Sequence, residues 1–245
     1  MSRYRDNDHE EKKLPIMIGF MSQRPSSLET ALDPMLNDIP RLNNYMNVAK
    51  KTCTFPSKHH LTHDESAAVF LYTMEWGDTS VYKMLNNALR TEDVKIIKPW
   101  WPYLKLFTNA LLKLPVCNGN VWRGENHTIT KTFQKGQERV WWTMTSCSMT
   151  LDVMSDFIGD KGTLFLIDAK NARSIIGYSY HPQEEEVILL PGTTVHVLSN
   201  PFQDGSGTHM VSLKVYDEDK LSEDYDNMKL KSNSSNSNKG QYHIY

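Results

Sequence analysis

Excess charge of either sign, cysteine and long apolar runs are all scarce in this chain. Lys and Arg number 27 against 29 Asp and Glu, a formal net charge of −2. No global field therefore draws it toward nucleic acid or an anionic membrane. The basic tracts Lys12-Lys13 and Lys50-Lys51 are short, which weakens a phosphate-backbone reading and argues against a nucleic-acid partner. Cys53, Cys117 and Cys147 form an odd set without metal-ligand spacing, so neither a disulfide framework nor a metal site is expected. Residues 1–13 are polar, and the apolar run from Ile16 to Phe20 is far too short to span a bilayer. The expectation is a soluble, cytoplasmic or otherwise intracellular protein with no membrane attachment. There is no internal repeat.

What remains is an ordinary globular composition, 39% hydrophobic and 23% charged over 245 residues, enough for one domain with a sizeable core. The expected layout is a flexible segment at 1–20, a single domain at 21–218, and a mostly disordered Ser- and Asn-rich tail at 219–245. Within the domain, residues 21–117 read as helical and 118–218 as β-rich. Thr62-His63-Asp64-Glu65 is a capping box, followed by Ala68, Leu71 and Tyr72 at helical spacing. Val81, Met84, Leu85, Ala88 and Leu89 make a second stripe. Pro99 opens a third helix, with Trp100, Tyr103, Leu104, Phe107, Ala110, Leu111 and Leu114 on one face. Beyond Asn118 the period drops to two. Strands are expected at 120–125, 128–133, 139–145, 163–169, 174–180, 186–190, 194–199 and 209–216. Helices first and strands after predict an α+β fold, a helical lobe packed on a β-rich half.

Three segments of the β half carry chemistry. In Val121-Trp122-Arg123-Gly124-Glu125, alternation sets Arg123 opposite Trp122, and Gly124 lets a ligand approach the backbone. A guanidinium is the natural forked partner of a phosphate, although a surface arginine in a strand reads the same way. In Thr143-Met144-Thr145-Ser146-Cys147-Ser148, the two serines share a face, able to orient a carboxylate, while Cys147 turns toward the core as a small hydrophobe. An ordinary Ser/Thr-rich strand end fits equally. The third runs from Ile175 through Tyr178, Tyr180 and Glu184-Glu185-Glu186 into Val187-Ile188-Leu189-Leu190-Pro191-Gly192. Carboxylates repel one another and disfavour strand pairing, so a structural sequence has little reason to stack three there. If the backbone is extended, Glu184 and Glu186 share a face and Glu185 points away. A solvated acidic turn is the plainer alternative.

Taken in order, the three segments resemble the Arg–Ser–Glu signature of the arginine-specific mono-ADP-ribosyltransferases, the branch shared by vertebrate ecto-enzymes and several bacterial toxins. The likeness covers roughly residues 60 to 216, and Leu61 through Arg90 is similar to the helical region of the eukaryotic members. Cys147 stands where the family usually has threonine, and the secretion signal and paired cysteines of the vertebrate enzymes are missing. The resemblance implies a core of two sheets, NAD as co-substrate and a protein acceptor with an accessible arginine. It implies that Arg123 holds an NAD phosphate, the Gly124 backbone meets the nicotinamide amide and Ser146 orients Glu186. Glu186 would bind the ribose hydroxyl and stabilise the oxocarbenium-like centre formed as nicotinamide leaves. Glu184 would position the incoming guanidinium and help deprotonate it. Phe157 is a candidate to stack on nicotinamide, and Tyr178 and Tyr180 to contact the acceptor. An NAD glycohydrolase, a transferase to a non-protein acceptor and an inactive NAD-binding module are the alternatives.

Overall fold

The computed structural model describes residues 16–129, 133–155, 158, 162–205 and 207–216. The expected disordered tail and most of the expected flexible N-terminal segment lie outside the described residues. The helical part comprises α1 (Ile16–Met21), α2 (Leu28–Leu32), α3 (Leu42–Thr52), α4 (His63–Thr73), α5 (Val81–Arg90), α6 (Val94–Ile97) and α7 (Trp101–Lys113). α4 starts where the capping box requires. Thr62 Oγ1 accepts from Glu65 N at 3.2 Å, and the Glu65 carboxylate accepts from Thr62 N at 2.7 Å. A cap of this kind contributes about 1 kcal/mol. Pro99 sits in a short 3₁₀ turn, Lys98–Trp100, and α7 begins one residue later with Pro102 in its first turn. α4 is buried almost all round, so it is the central helix of the lobe, with α3 and α7 against it.

The strands are β1 (Val116–Glu125), β2 (Glu138–Trp141), β3 (Thr145–Ser148), β4 (Thr163–Ser174), β5 (Glu186–Leu189), β6 (Thr193–Val197), β7 (Phe202–Gln203) and β8 (His209–Val215), with a single-turn helix α8 (Asp152–Ser155) between β3 and β4. Five of them lie side by side in the order β1-β4-β8-β6-β2, with β4 and β8 parallel and the other pairs antiparallel. The short β7 extends the edge of β8. β3 and β5 form an antiparallel ribbon facing that sheet. It is joined to the sheet by a bridge from Trp122 to Ser148 and by the end of β4. Val121, Trp141, Phe165, Ile167, Val211 and Leu213 from the sheet meet Cys147, Val187 and Leu189 from the ribbon in one apolar core. The ribbon's other face turns to the helical lobe, where Ile188 joins Tyr72, Tyr103, Phe107 and Leu111. Each long aliphatic or aromatic side chain buried this way contributes roughly 1.5–3 kcal/mol. The ribbon is therefore clamped between two hydrophobic layers, and residues at its end inherit that rigidity.

Three expected strands differ. Residues 139–145 form no single strand. β2 ends at Trp141, the chain crosses from sheet to ribbon through Trp142–Met144, and β3 begins at Thr145. A strand over 128–133 is not formed at Thr128, Ile129 or Phe133, and 130–132 lie outside the described residues. The stretch 174–180 is a turn rather than a strand. Gly177 is left-handed at φ +85°, and Tyr178 N bonds back to Ile175 O at 2.9 Å. Its alternating apolar pattern belongs to one residue packed under the lobe, Ile175, and one at the surface, Ile176.

Candidate active site

Arg123 lies in β1 between Trp122, which packs against Met154 and Leu164 on one face, and Gly124, whose backbone is buried opposite Leu164. Alternation sends the guanidinium to the other face, between sheet and ribbon, where it is 1% exposed. Nη2 pairs with Glu125 Oε1 at 2.9 Å, and Nη1 donates to the backbone carbonyl of Ser146 at 3.0 Å. Glu125 is itself fully buried. Such a pair is stable only because both charges are present, since stripping one partner typically costs about 3–5 kcal/mol. Arg123 thus fixes the β3 backbone at the residue that carries the first serine.

The two ribbon strands pair Ser148 with Glu186 and Ser146 with Ile188. Directly opposed residues share a face, so Ser146, Ser148, Glu186 and Ile188 all look toward the lobe. Cys147, facing the inter-sheet core, is fully buried, and that burial pushes its thiol up to about 12 against a weaker opposing pull from Arg123. It is a packing residue. Ser148 Oγ donates to Glu184 O at 2.8 Å while accepting from Thr150 N at 3.1 Å. Ser146 Oγ is buried and makes no hydrogen bond among the described residues.

Glu184 and Glu186 are 2% and 1% exposed, while Glu185 between them is at the surface. The outcome matches the alternation argument but the backbone does not. Residues 182–184 are a 3₁₀ turn, and Glu185 is left-handed at φ 44°, ψ 46° before β5 begins. Left-handed backbone is uncommon and costly for a side chain of this size, on the order of 1 kcal/mol. The conformation is held by Met149 N to Glu185 O at 3.2 Å and Ile175 N to Glu186 O at 3.1 Å. His181 Nδ1 lies 3.9 Å from Glu184 Oε1. The strained residue thus lies between two buried carboxylates, which a solvated acidic turn would leave exposed.

The turn that precedes the carboxylates divides the two tyrosines. Tyr178 is buried, its hydroxyl 2.7 Å from Ser57 Oγ and 3.0 Å from His59 Nδ1. Tyr180 is 48% exposed, with its ring edge-on to Phe70. Phe157 lies outside the described residues. Among the described residues no group of His, Cys, Asp and Glu is arranged to hold a metal ion. Arg123, Ser146, Glu184 and Glu186 are brought to one end of the ribbon. Glu125 is given no role by the sequence reading, and Ser148 only the one it shares with Ser146, orienting a carboxylate. Glu125 was legible, because two residues along a strand share a face, whereas the bond from Ser148 to Glu184 depends on a turn that the sequence does not announce.

A family model described as NAD:arginine ADP-ribosyltransferase matches residues 29–221 of the chain. The Mav protein of Mycobacterium avium (strain 104), named provisionally as an NAD(+)–arginine ADP-ribosyltransferase, is 28% identical over 159 residues. That stretch is 63% of this chain but 18% of the other, so the chain spans a small part of that relative's length. Among solved structures, the ADP-ribosyltransferase Vis from Vibrio splendidus, in complex with agmatine, superposes with a TM-score of 0.55 at 19% identity, covering 82% of this chain and 91% of that one. HopU1 of Pseudomonas syringae pv. Tomato DC3000, also an ADP-ribosyltransferase, gives 0.55 at 17% identity, with 85% and 100% covered. Likeness at this identity shows the fold: helical lobe and two-sheet core are those of the ADP-ribosyltransferases.

Proposed function

Because the chain belongs to the NAD:arginine ADP-ribosyltransferase family, we propose that it moves ADP-ribose from NAD to arginine side chains of acceptor proteins, releasing nicotinamide. The observation that carries this reading is the pair Glu184 and Glu186, both buried and separated by a strained, exposed Glu185. A transferase to arginine has two cationic problems, an oxocarbenium-like ribose and a protonated guanidinium. Two carboxylates held apart at one strand end suit both. That Vis was solved with agmatine, a small guanidine, supports the choice of acceptor class. The likeness of Leu61–Arg90 to the eukaryotic members supports placing the chain on that branch.

In this reading Glu186, at the first position of the rigid ribbon, accepts a hydrogen bond from the ribose hydroxyl and stabilises the charge that develops as the nicotinamide bond breaks. Ser146, whose buried hydroxyl has its bonding capacity unspent among the described residues, orients Glu186 or meets the ribose. Arg123 serves NAD phosphate binding by holding Ser146 in place, with Glu125 fixing the plane of its guanidinium. The buried Gly124 backbone meets the nicotinamide amide. Glu184 faces the acceptor and lowers the cost of removing a proton from a guanidinium that is otherwise a poor nucleophile. Tyr180, exposed beside it, contacts the acceptor, with Tyr178 supporting it from below.

The test is a single reaction with two readouts, nicotinamide release and label appearing on agmatine or protein, for wild type and Glu184→Gln. Wild type should transfer label. The variant should lose transfer while retaining much of its NAD hydrolysis, because water needs less positioning than a guanidinium. Parallel loss of both would make Glu184 part of the NAD site, and hydrolysis without transfer in wild type would make the protein a glycohydrolase.

A further inference from the structure

The acceptor turn, residues 175–185 between β4 and β5, is not self-supporting. Its two internal backbone bonds, Tyr178 N to Ile175 O and Glu184 N to His181 O, and the bond from Ile175 N to Glu186 O at its foot leave the stretch 176–181 without a strand partner. The lobe grips that stretch at three points. Thr54 Oγ1 donates to Gly177 O at 2.5 Å, and Thr73 Oγ1, at the end of α4, accepts from Tyr180 N at 2.7 Å. Between them the Tyr178 hydroxyl enters the α3–α4 loop, residues 53–62, and meets both Ser57 Oγ and His59 Nδ1. The loop is preformed to receive it: His59 N donates to Ser57 Oγ at 3.1 Å, and Ser66 Oγ donates to Thr54 O at 2.7 Å.

We infer that Ser57 and His59 are positioning residues for arginine transfer, acting through Tyr178 to hold the turn that presents Tyr180 and Glu184 to the acceptor; the inference rests on the function proposed above. The chemistry of the three groups closes on itself. With Ser57 donating to the Tyr178 oxygen, Tyr178 donating to a neutral His59 Nδ1 and Ser57 accepting from His59 N, both hydroxyls and Nδ1 are used in mutually reinforcing bonds. Loss of hydration, then the nearby Lys58 and His60, keep the His59 ring below the ordinary histidine range, which favours that neutral form. Glu186 is anchored differently, in paired strands of the ribbon. Loosening the latch should therefore disturb the acceptor and leave NAD alone.

The experiment compares Tyr178→Phe, Ser57→Ala, His59→Ala and His59→Asn, whose amide reaches the position of Nδ1. For each, KM and kcat for agmatine are measured beside NAD hydrolysis without acceptor, with hydrogen exchange over residues 175–185. Tyr178→Phe and His59→Ala should raise the KM for agmatine about tenfold, the scale of one net hydrogen bond. NAD hydrolysis should stay within about twofold, because uniform binding energy lost on one substrate leaves the other step intact. His59→Asn should recover most of the loss, and exchange in the turn should rise in the unrescued variants. A merely structural role would lower transfer and hydrolysis by the same factor, and that result, or unchanged exchange, would overturn the latch. A wild type that hydrolyses NAD but transfers nothing would overturn the proposed acceptor instead, with hydrogen exchange still reporting whether the latch holds the turn.

Discussion

At the scale of single residues the proposed function assigns one buried group to chemistry, Glu186, and another to packing, Cys147. Glu186 stands at the ribbon's first position, 1% exposed, opposite Ser148. Glu186→Gln keeps its size and removes its charge, so the fold should survive while transfer and NAD hydrolysis both fall by on the order of 10² to 10³. Steady-state rates near wild type for either reaction would remove Glu186 from the chemistry. Cys147 is the opposite case. Its folded pKa, up to about 12, lies above the ordinary value of 9.0. A thiol shifted in that direction lends stability that is fully present below pH 9 and is lost as pH rises through 12. At pH 8 the native chain should leave Cys147 unmodified by iodoacetamide while unfolded chain reacts, as peptide mass spectrometry would show. Rapid native labelling would contradict the packing assignment. The inward turn of Cys147 was legible from alternation alone. The burial of Arg123 and its bond to Ser146 were not, since a forked guanidinium reads as a ligand group until its carboxylate partner is seen two residues on.

At the scale of elements, strong local signals survived and long-range ones did not. The capping box at Thr62, the apolar stripe of α5 and the apolar face of α7 all depend on neighbours within a few residues, and each stands where the sequence reading put it. The break between β2 and β3 depends on α5 instead. Asn86 is buried and grips Met144 in both directions, its Nδ2 donating to Met144 O at 3.2 Å and its Oδ1 accepting from Met144 N at 3.1 Å. A side-chain amide here does what a neighbouring strand would do, at the point where the chain leaves the sheet for the ribbon. Nothing in the local pattern of residues 139–145 reveals it. Asn86→Ala takes the acceptor from Met144 N and leaves Met144 O with only the longer bond from the Tyr72 hydroxyl at 3.4 Å, and chemical denaturation should show a loss of about 1–3 kcal/mol. A loss below about 0.5 kcal/mol would mean that water replaces the amide there.

At the scale of the whole molecule, a charge cluster ties three helices together. Lys50 of α3 meets Glu29 of α2 at 2.6 Å and Asp64 of α4 at 2.8 Å, and Asp64 also accepts from Leu28 N at 3.0 Å. The hydrogen bond from Lys50 draws Glu29 below its ordinary range. For Asp64, burial pushes upward, but the bonds from Lys50 and Leu28 outweigh it and the net shift is downward. Carboxylates depressed in this way add stability above their unfolded pKa values and lose it as pH falls through the folded ones. Acid unfolding should therefore begin below about pH 4.5, and Lys50→Met should move its midpoint to higher pH. An unmoved midpoint would assign acid stability elsewhere.

The β3–β5 ribbon has no face of its own to spare, with one side in the inter-sheet core and the other under the lobe. It also carries both the serine pair and Glu186. An exchange of parts between related chains could not move this ribbon without carrying two different partners along. The loop at residues 53–62, by contrast, is a surface segment far away along the chain. Under the proposed roles, descent can revise the choice of acceptor at one address and conserve the breaking of NAD at another. A lineage of such enzymes can diversify its targets while its reaction stays the same.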